Sequence, residues 1–161
     1  MTTPPGDAAR GILVEGAPAL ARGDGLESTL RVLLEALAAP LEVLSAAVVT
    51  VDASGERPAI VASFGLDSAA AAGLGVAIQN PGHPIRRTVA DPVATFDVQP
   101  TVPGGPGLRS HLPLIVRRAG TNTVLGVLAL AHDRRIDMES RAIVLAAADL
   151  AAVAIDRQVS T

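Results

Sequence analysis

The sequence predicts a single α+β domain with a central antiparallel sheet of five or six strands. Helical patterns lie at both ends of the organised region, and segments with strand-like alternation lie between them. Two of these segments flank the turn sequence Asp52-Ala53-Ser54-Gly55, which predicts a hairpin. Another segment, residues 123–132, is apolar on both faces, as is typical of a strand that is covered on both sides. Strands framed by helices define an α+β arrangement.

The first predicted helix spans residues 26–39. Leucines recur at helical spacing along one face, while Glu27, Arg31 and Glu35 follow the opposite face at intervals of four. Pro40 predicts the end of this helix, because proline disfavours helical geometry at the residue before it. The hairpin strands follow as two runs rich in β-branched residues, at 45–51 and 59–64.

The middle of the chain predicts short elements, and the second half predicts two long strands. In chain order these are a helix at 69–78, a turn at 80–82, a helix at 84–90, a strand at 94–98 and strands at 108–117 and 123–132. A loop rich in proline and glycine separates the short strand from the long ones. Pro113 lacks a ladder donor, which predicts a bulge or an unpaired position in its strand.

The last predicted helix spans residues 138–157 and has Asp137 as its candidate cap. The run 142–155 contains one charge, more apolar surface than a single buried face requires. We therefore expect this helix to contact both the sheet and a second copy of the chain. The first and last helices are expected on one face of the sheet, with the short helices and the 98–107 loop over the other.

The composition excludes several classes of function. Among 161 residues there are 13 arginines, no lysine and no cysteine, so disulfides, thiolate metal sites and cysteine nucleophiles are ruled out. The net charge of −3 argues against nucleic acid as a partner. No apolar run reaches the roughly 20 residues that a bilayer requires, and the first ten residues lack the pattern of a secretory signal. We expect a cytoplasmic protein with a loosely attached arm at 1–24, a domain at 25–158 and a tail at 159–161.

Three segments, taken with the order of elements, resemble the GAF domain family of sensory domains. PLIVRRAGTNTVLGVLALAHD resembles its proline-leucine strand, hairpin loop and glycine-centred strand. AADLAAVAIDR resembles its alanine-rich closing helix, and DPVATFDV resembles the segment that leads into its short pocket strand. The resemblance covers residues 26–157. It implies a GAF/PAS-like sheet, a ligand pocket beneath the short middle helices, and signalling through the two terminal helices.

This chain lacks residues that several activities of the family require. Members that carry linear tetrapyrroles or reduce free methionine sulfoxide use cysteines, which this chain lacks. The motif of the cyclic-nucleotide binders contains a lysine, and this chain has none. Heme-binding members place a ligating histidine in the loop before the proline-containing strand, whereas residues 101–107 contain no histidine. The sequence therefore predicts no cofactor.

The candidate ligand residues lie at two predicted strands and one helix start. Arg109 and His111 share one side of their strand, where a guanidinium and an imidazole suit a carboxylate or phosphate. Phe96 and Asp97 lie where the resemblance places a pocket wall, and His83 precedes a helix start near two arginines. For each residue a purely structural role is the alternative: an exposed strand start for Arg109, a satisfied core imidazole for His111, core packing for Phe96, a strand end for Asp97 and a solvated face for His83.

Catalytic and metal motifs are missing from the sequence. No nucleophile elbow, phosphate loop with lysine or zinc-protease motif is present, and the three histidines have no metal-ligand spacing. We therefore expect a non-enzymatic sensory domain that binds an unidentified small molecule, with anions among the candidates. We expect it to signal as a homodimer through helices 26–39 and 138–157, with a partner protein as its target. Alternatives are a ligand-free module for dimerisation or docking, and an enzyme or heme-based sensor.

Overall fold

A computed structural model describes residues 25–100 and 107–160 of the chain. In chain order its elements are α1 (Leu26–Leu41), β1 (Val43–Thr50), β2 (Ala59–Phe64), α2 (Ser68–Ala77), α3 (Pro84–Ala90), β3 (Thr95–Val98), β4 (Leu108–Arg118), β5 (Thr121–His132) and α4 (Met138–Ser160). The predicted arm at 1–24 and residues 101–106 of the predicted covering loop lie outside the described residues.

The described strands form one antiparallel sheet in the order β2-β1-β5-β4-β3, which confirms the predicted α+β class with five strands. β5 lies at the centre, between β1 and β4. This position explains why the strand is apolar on both faces, because both faces of a central strand are covered by helices. The short β3 is the edge strand next to β4.

The larger core lies between the sheet and the two long helices, α1 and α4. The leucine stripe of α1 is almost fully buried there, together with the alanine-rich inner face of α4. Alanine has a small side chain, so α4 approaches both the sheet and α1 closely. The predicted placement of the first and last helices on one face is confirmed.

The opposite face carries α2 and α3 and a much smaller apolar cluster. Val49 and Val127 of the sheet meet Ile78, which follows α2, and Ile85 of α3. α2 buries no residue of its own, so this layer covers the sheet incompletely. The space that it leaves is the pocket described below.

The predicted end of the first helix at Pro40 is wrong, because α1 continues through Pro40 to Leu41. Pro40 lies in the last turn, where its missing N–H removes one hydrogen bond without breaking a continuing helix. Glu42 ends the helix instead, with φ of 53°, and its N–H donates to the carbonyl of Ala39 over 3.3 Å.

Other local predictions agree more closely with the structure. Asp137 caps α4 through a 2.8 Å hydrogen bond from the Ser140 N–H, and the helix extends to Ser160. Pro113 is aligned with Val127, and the irregularity in the β4 register follows one residue later, between Leu114 and Ile115. Within the described ranges, no helix is both long and apolar enough to cross a membrane.

Candidate functional site

A pocket of about 240 Å³ lies between the sheet and the incomplete layer of α2 and α3. Its polar lining residues are Ser45, His83, Arg109 and His111, and its other lining residues are alanines, leucines and an isoleucine. The volume falls below the roughly 300–1,000 Å³ that is typical of sites for drug-sized molecules. The pocket therefore suits a small, partly apolar ligand.

β4 positions Arg109 and His111 on the same face because side chains alternate along a strand. In the register with β5, Arg109 is aligned with Ala131, and His111 with Ala129. The two alanines leave room beside the long polar side chains, and both also line the pocket. The sequence placed Arg109 and His111 on one side of a strand, and the structure puts that side at the pocket.

His111 is nearly buried, with 5% of its surface exposed, yet its ring makes no hydrogen bond within the part of the chain that the structure describes. Among the described residues, every side-chain nitrogen or oxygen that is closed off from solvent has a hydrogen-bond partner. The ring nitrogens of His111 have none, so they must be accessible to solvent, and His111 lines the pocket. Burial, assisted by the nearby His83 and Arg109, lowers the pKa of His111 to about 4. At neutral pH the ring is therefore uncharged and offers one donor and one acceptor.

His83 lies across the pocket at the start of α3. Its Nδ1 accepts the Ile85 N–H over 3.1 Å, so in the neutral ring the proton resides on Nε2. Burial, and then the charge of Arg87, lower the pKa of His83 below its usual value. His83 thus presents a neutral imidazole whose remaining polar atom, Nε2, is a hydrogen-bond donor.

Phe96 and Asp97 do not line this pocket. Phe96 packs against the core beneath α1 and α4, and the guanidinium carbon of Arg141 lies 4.7 Å from the centre of its ring. The Asp97 carboxylate accepts the Ile136 N–H over 2.9 Å and the Arg141 Nη2 over 3.1 Å. The structure brings these two residues together with the start of α4 and away from Arg109, His111 and His83.

Sequence reasoning missed a buried pair next to Asp97. Ser110 and His132 are both 0% exposed, and Ser110 Oγ lies 2.8 Å from His132 Nε2. His132 Nδ1 lies 2.7 Å from the carbonyl of Arg134 and donates to it, so in the neutral ring Nε2 accepts from the Ser110 hydroxyl. Ser110 Oγ in turn accepts the Asp97 N–H over 3.1 Å. We call Asp97, Ser110, His132 and Arg141 the Asp97 network.

The Ser110–His132 pair has the atoms of a serine nucleophile and its base, but its surroundings give it a structural role. Both side chains are fully buried, and each hydrogen-bonding atom already has a partner. A substrate has no approach to Ser110 Oγ in this arrangement. One signal in the sequence points to the pair: Ser110 and His132 each interrupt an otherwise apolar strand face on neighbouring strands.

The described residues hold no group of three or more histidine, cysteine, aspartate and glutamate side chains placed to bind a metal ion. The pocket instead joins one guanidinium and two neutral imidazoles to an apolar wall. Such a set donates hydrogen bonds to an anion or a polar oxygen.

This arrangement, an antiparallel sheet with two long helices on one face and a small pocket under short helices on the other, defines an α+β domain with a pocket between its sheet and its short helices. Comparison with solved structures shows that it has the fold of GAF domains. The GAF domain of an Acinetobacter phosphoenolpyruvate-protein phosphotransferase superposes with a TM-score of 0.76 at 15% identity, covering 100% of this chain and 98% of that one. The second GAF domain of DevS from Mycobacterium smegmatis gives 0.61 at 24% identity, covering 84% and 96%.

An enzyme shares the same architecture. The free methionine-R-sulfoxide reductase from Neisseria meningitidis, solved with its substrate, gives a TM-score of 0.70 at 13% identity and covers 99% of this chain and 97% of that one. No protein-family model and no curated protein sequence matches the chain. At these identities the likeness concerns the fold, so the site itself must carry any argument about function.

Proposed function

We propose that this chain is a non-enzymatic sensory domain that binds a small molecule in the pocket lined by His83, Arg109 and His111. The observation that carries the proposal is His111, a nearly buried imidazole whose nitrogens reach the pocket and make no hydrogen bond within residues 25–100 and 107–160. A buried polar group without a hydrogen bond is costly, so a ligand that pairs with it gains stability from that pairing. Phe96 and Asp97 are not part of the proposed site, because both contact residues outside the pocket.

We propose that this domain transmits its signal as a homodimer. The outer face of α4 carries three exposed apolar side chains, Met138 at 76% exposure, Leu145 at 44% and Val153 at 45%, together with the exposed Asp149. The outer face of α1 instead carries Glu27, Arg31 and Glu35. We therefore assign the main contact to α4, with α1 alongside, in a cytoplasmic protein that passes its signal to a partner protein.

The proposal that the domain is not an enzyme has two supports. The chain has no cysteine for the redox chemistry that the family's sulfoxide reductases use, and Ser110 is out of reach of a substrate. The alternative function is a ligand-free module for dimerisation. The small size of the pocket supports it, and it requires only the α4 surface.

Native mass spectrometry of the full chain tests the proposal. We expect a dimer that retains additional mass, and we expect Ala129→Leu to lose that mass because leucine fills the pocket. Ala72→Leu, on the exposed side of α2, is the matched control and should keep it. A monomer without retained mass, together with no stabilisation by any metabolite in a thermal-shift screen, would contradict the proposal. A ligand-free dimer would favour the alternative function.

A further inference from the structure

We propose that the ligand of this pocket is a small uncharged molecule, a primary carboxamide on a short hydrocarbon, which accepts a hydrogen bond from His83 and donates one to His111. This ligand class rests on the proposed function, since it names the kind of molecule that the same pocket takes. The hydrogen-bonding state of the two imidazoles and their uncharged surroundings support it.

His83 supplies a hydrogen-bond donor at the pocket. Its Nδ1 accepts the Ile85 N–H over 3.1 Å, so in the neutral ring the proton is on Nε2. An Nε2–H group can only donate, and it therefore requires an acceptor such as a carbonyl oxygen. The same proton argues against a metal ion at His83, because a metal would need the lone pair of Nε2.

His111 supplies the complementary acceptor. Its residue is 5% exposed, and its ring makes no hydrogen bond within residues 25–100 and 107–160. A neutral imidazole always has one nitrogen that accepts a hydrogen bond. A carboxylate or a ketone offers no N–H or O–H and leaves this nitrogen unpaired, whereas the NH₂ group of a primary amide donates to it.

One amide group can serve both rings. His83 and His111 line the same pocket, and they are close enough that His83 contributes to the low pKa of His111. A primary amide has its acceptor and its donor on two separate atoms. Its oxygen pairs with His83 Nε2–H, and its nitrogen pairs with the unprotonated nitrogen of His111.

The surroundings of the two rings favour a neutral ligand. Burial is the largest cause of the lowered pKa of both histidines, so this side of the pocket disfavours charge. The described lining residues include no carboxylate that would pair with a cationic ligand, and Ser45 adds an uncharged hydroxyl. Arg109 also lines the pocket, but its side chain already interacts within the protein, with the Leu108 carbonyl at 3.4 Å among its contacts. We therefore assign Arg109 no contact with the ligand.

The rest of the lining favours a compact hydrocarbon. Ala47, Ala129 and Leu74 belong to the apolar wall formed by the sheet and α2. A volume of about 240 Å³ equals that of roughly eight water molecules in the liquid. Such a space fits an amide with a short branched chain and is too small for a nucleotide.

The test compares three probes that share one branched hydrocarbon: 3-methylbutanamide, the ketone 4-methylpentan-2-one and 3-methylbutanoate. The ketone has a methyl group of similar size in place of the NH₂ group, and the carboxylate has a charged oxygen there. Each is titrated into the full chain, and binding is followed by NMR. We expect the amide to bind most tightly. The ketone and the carboxylate should bind at least about ten-fold more weakly, because each leaves the acceptor nitrogen of His111 unpaired.

One variant and one control separate this recognition from a loss of folding. His111→Phe removes the acceptor and keeps an aromatic ring, so the amide should lose its advantage and the two dissociation constants, for amide and ketone, should become about equal. Thr95→Val is the matched control, since Thr95 is exposed on β3 beside His111 and is not among the lining residues. It should keep the advantage of the amide. Should His111→Phe fail to fold, the probe series on the wild-type chain still decides the question.

The ring nitrogens of His111 give a direct readout in protein that is isotopically labelled at its histidine nitrogens. When the amide binds, the signal of the unprotonated nitrogen should move toward that of a protonated nitrogen, because it then accepts a hydrogen bond. The ketone has no donor and should not move the signal in that direction.

The carboxamide inference is overturned if the ketone or the carboxylate binds as tightly as the amide, or if His111→Phe keeps the advantage of the amide. It is also overturned if none of the three probes binds. These results leave the proposed sensory function intact as long as the wild-type chain retains a small molecule that Ala129→Leu loses, so the two failures are distinguishable.

Discussion

At the scale of single residues, burial changes the chemistry of His111. In the unfolded chain an imidazole of this kind titrates near pH 6.5, whereas in the folded protein its pKa is about 4. Between these two pH values the unfolded state binds more protons than the folded state does, so the free energy of unfolding falls as the pH is lowered. Folding therefore keeps this imidazole neutral down to about pH 4, and the cost in stability grows as the pH falls below 6.5.

The first prediction concerns this titration. In the ligand-free protein the His111 ring should titrate near pH 4, and its contribution to stability, up to about 3 kcal/mol, should disappear between about pH 6.5 and pH 4. Histidine NMR titration and urea unfolding at several pH values measure the two quantities. His111→Gln is the control, and its stability should fall less with acid than that of the wild type. A midpoint near 6.5 would contradict the prediction.

Asp97 is the second residue whose role depends on its place in the fold. Its backbone lies in the left-handed region, with φ of 57°, and its side chain is 5% exposed beside Arg141. Asparagine tolerates this backbone conformation better than most residues with a side chain, and its amide oxygen can still accept the Ile136 N–H.

The second prediction therefore compares two substitutions at this position. Asp97→Asn should cost about 1 kcal/mol, through loss of the charge opposite a partly exposed Arg141. Asp97→Ala should cost about 3 kcal/mol, since it also removes the Ile136 partner and puts alanine at positive φ. Urea unfolding measures both. Asp156→Ala, which breaks the exposed ion pair with Arg118, is the control and should cost less than about 1 kcal/mol. Equal costs for Asp97→Asn and Asp97→Ala would refute this account.

At the scale of elements, the centre of the sheet depends on how closely two strands approach. A Cβ added to Gly126 of β5 would lie 2.0 Å from the carbonyl oxygen of Val49 on β1, a distance that no side chain can occupy. Gly73 of α2 is the opposite case, because nothing lies within 4 Å of an added Cβ.

The third prediction is that alanine has opposite effects at these two glycines. Gly126→Ala should destabilise the domain by about 3 kcal/mol or more, since the strands must separate to admit the methyl group. Gly73→Ala should stabilise it by about 0.5–1 kcal/mol, because alanine loses less backbone entropy in a helix. Thermal and urea unfolding of the two variants provide the measurement. Destabilisation of the same size at both positions would contradict it.

The Asp97 network also acts between elements. It joins β3, β4 and the end of β5 to the first turns of α4 through side chains that are mostly buried. Arg109 and His111 flank Ser110 on β4 and point to the other face of the sheet. The pocket and the start of α4 are therefore attached to the same three consecutive residues of one strand.

At the scale of the whole molecule, the surfaces of the two long helices differ. α1 presents a charged outer face, whereas α4 exposes the apolar side chains of Leu145 and Val153, with Asp149 between them. Exposed apolar positions that recur along one face of a long helix are typical of contact with another protein surface.

The fourth prediction tests that surface. Val153→Glu should shift the chain from dimer to monomer, because a buried carboxylate without a partner destabilises an interface. Val76→Glu replaces an equally apolar residue that is 75% exposed on α2, and it should leave the dimer intact. Size-exclusion chromatography with light scattering gives the mass of each variant. Dimers of equal stability in both variants would place the contact elsewhere on the chain.

Some features of this protein were predictable from local patterns. β-branched runs around Asp52 to Gly55, and the helical spacing of leucines in α1, predicted their elements because these signals act within a few residues. The bounds of β2 and α3 agree with the prediction. The end of α1 does not, because the preference against helix before Pro40 is weaker than the packing of Leu41, which is buried in the core.

The functional residues divide in the same way. Alternation along a strand was enough to place Arg109 and His111 on one side. The partners of Asp97 could not be predicted in this way, because Ile136 and Arg141 lie 39 and 44 residues away along the chain. Ser110 and His132 likewise meet only after β4 and β5 pair in one particular register.

The sequence by itself determined the α+β class and the order of elements. It also excluded the chemistries that need cysteine or lysine, and it placed Arg109 and His111 on the same side of one strand. These properties depend on composition and on periods of two to four residues. Only the tertiary structure decided that His111 lies at the pocket as a neutral imidazole. It also decided that Asp97 accepts hydrogen bonds from the start of α4, and that Ser110 and His132 are fully buried. Burial and distant contacts set the charge and the partners of these groups, and both arise only when remote segments pack together.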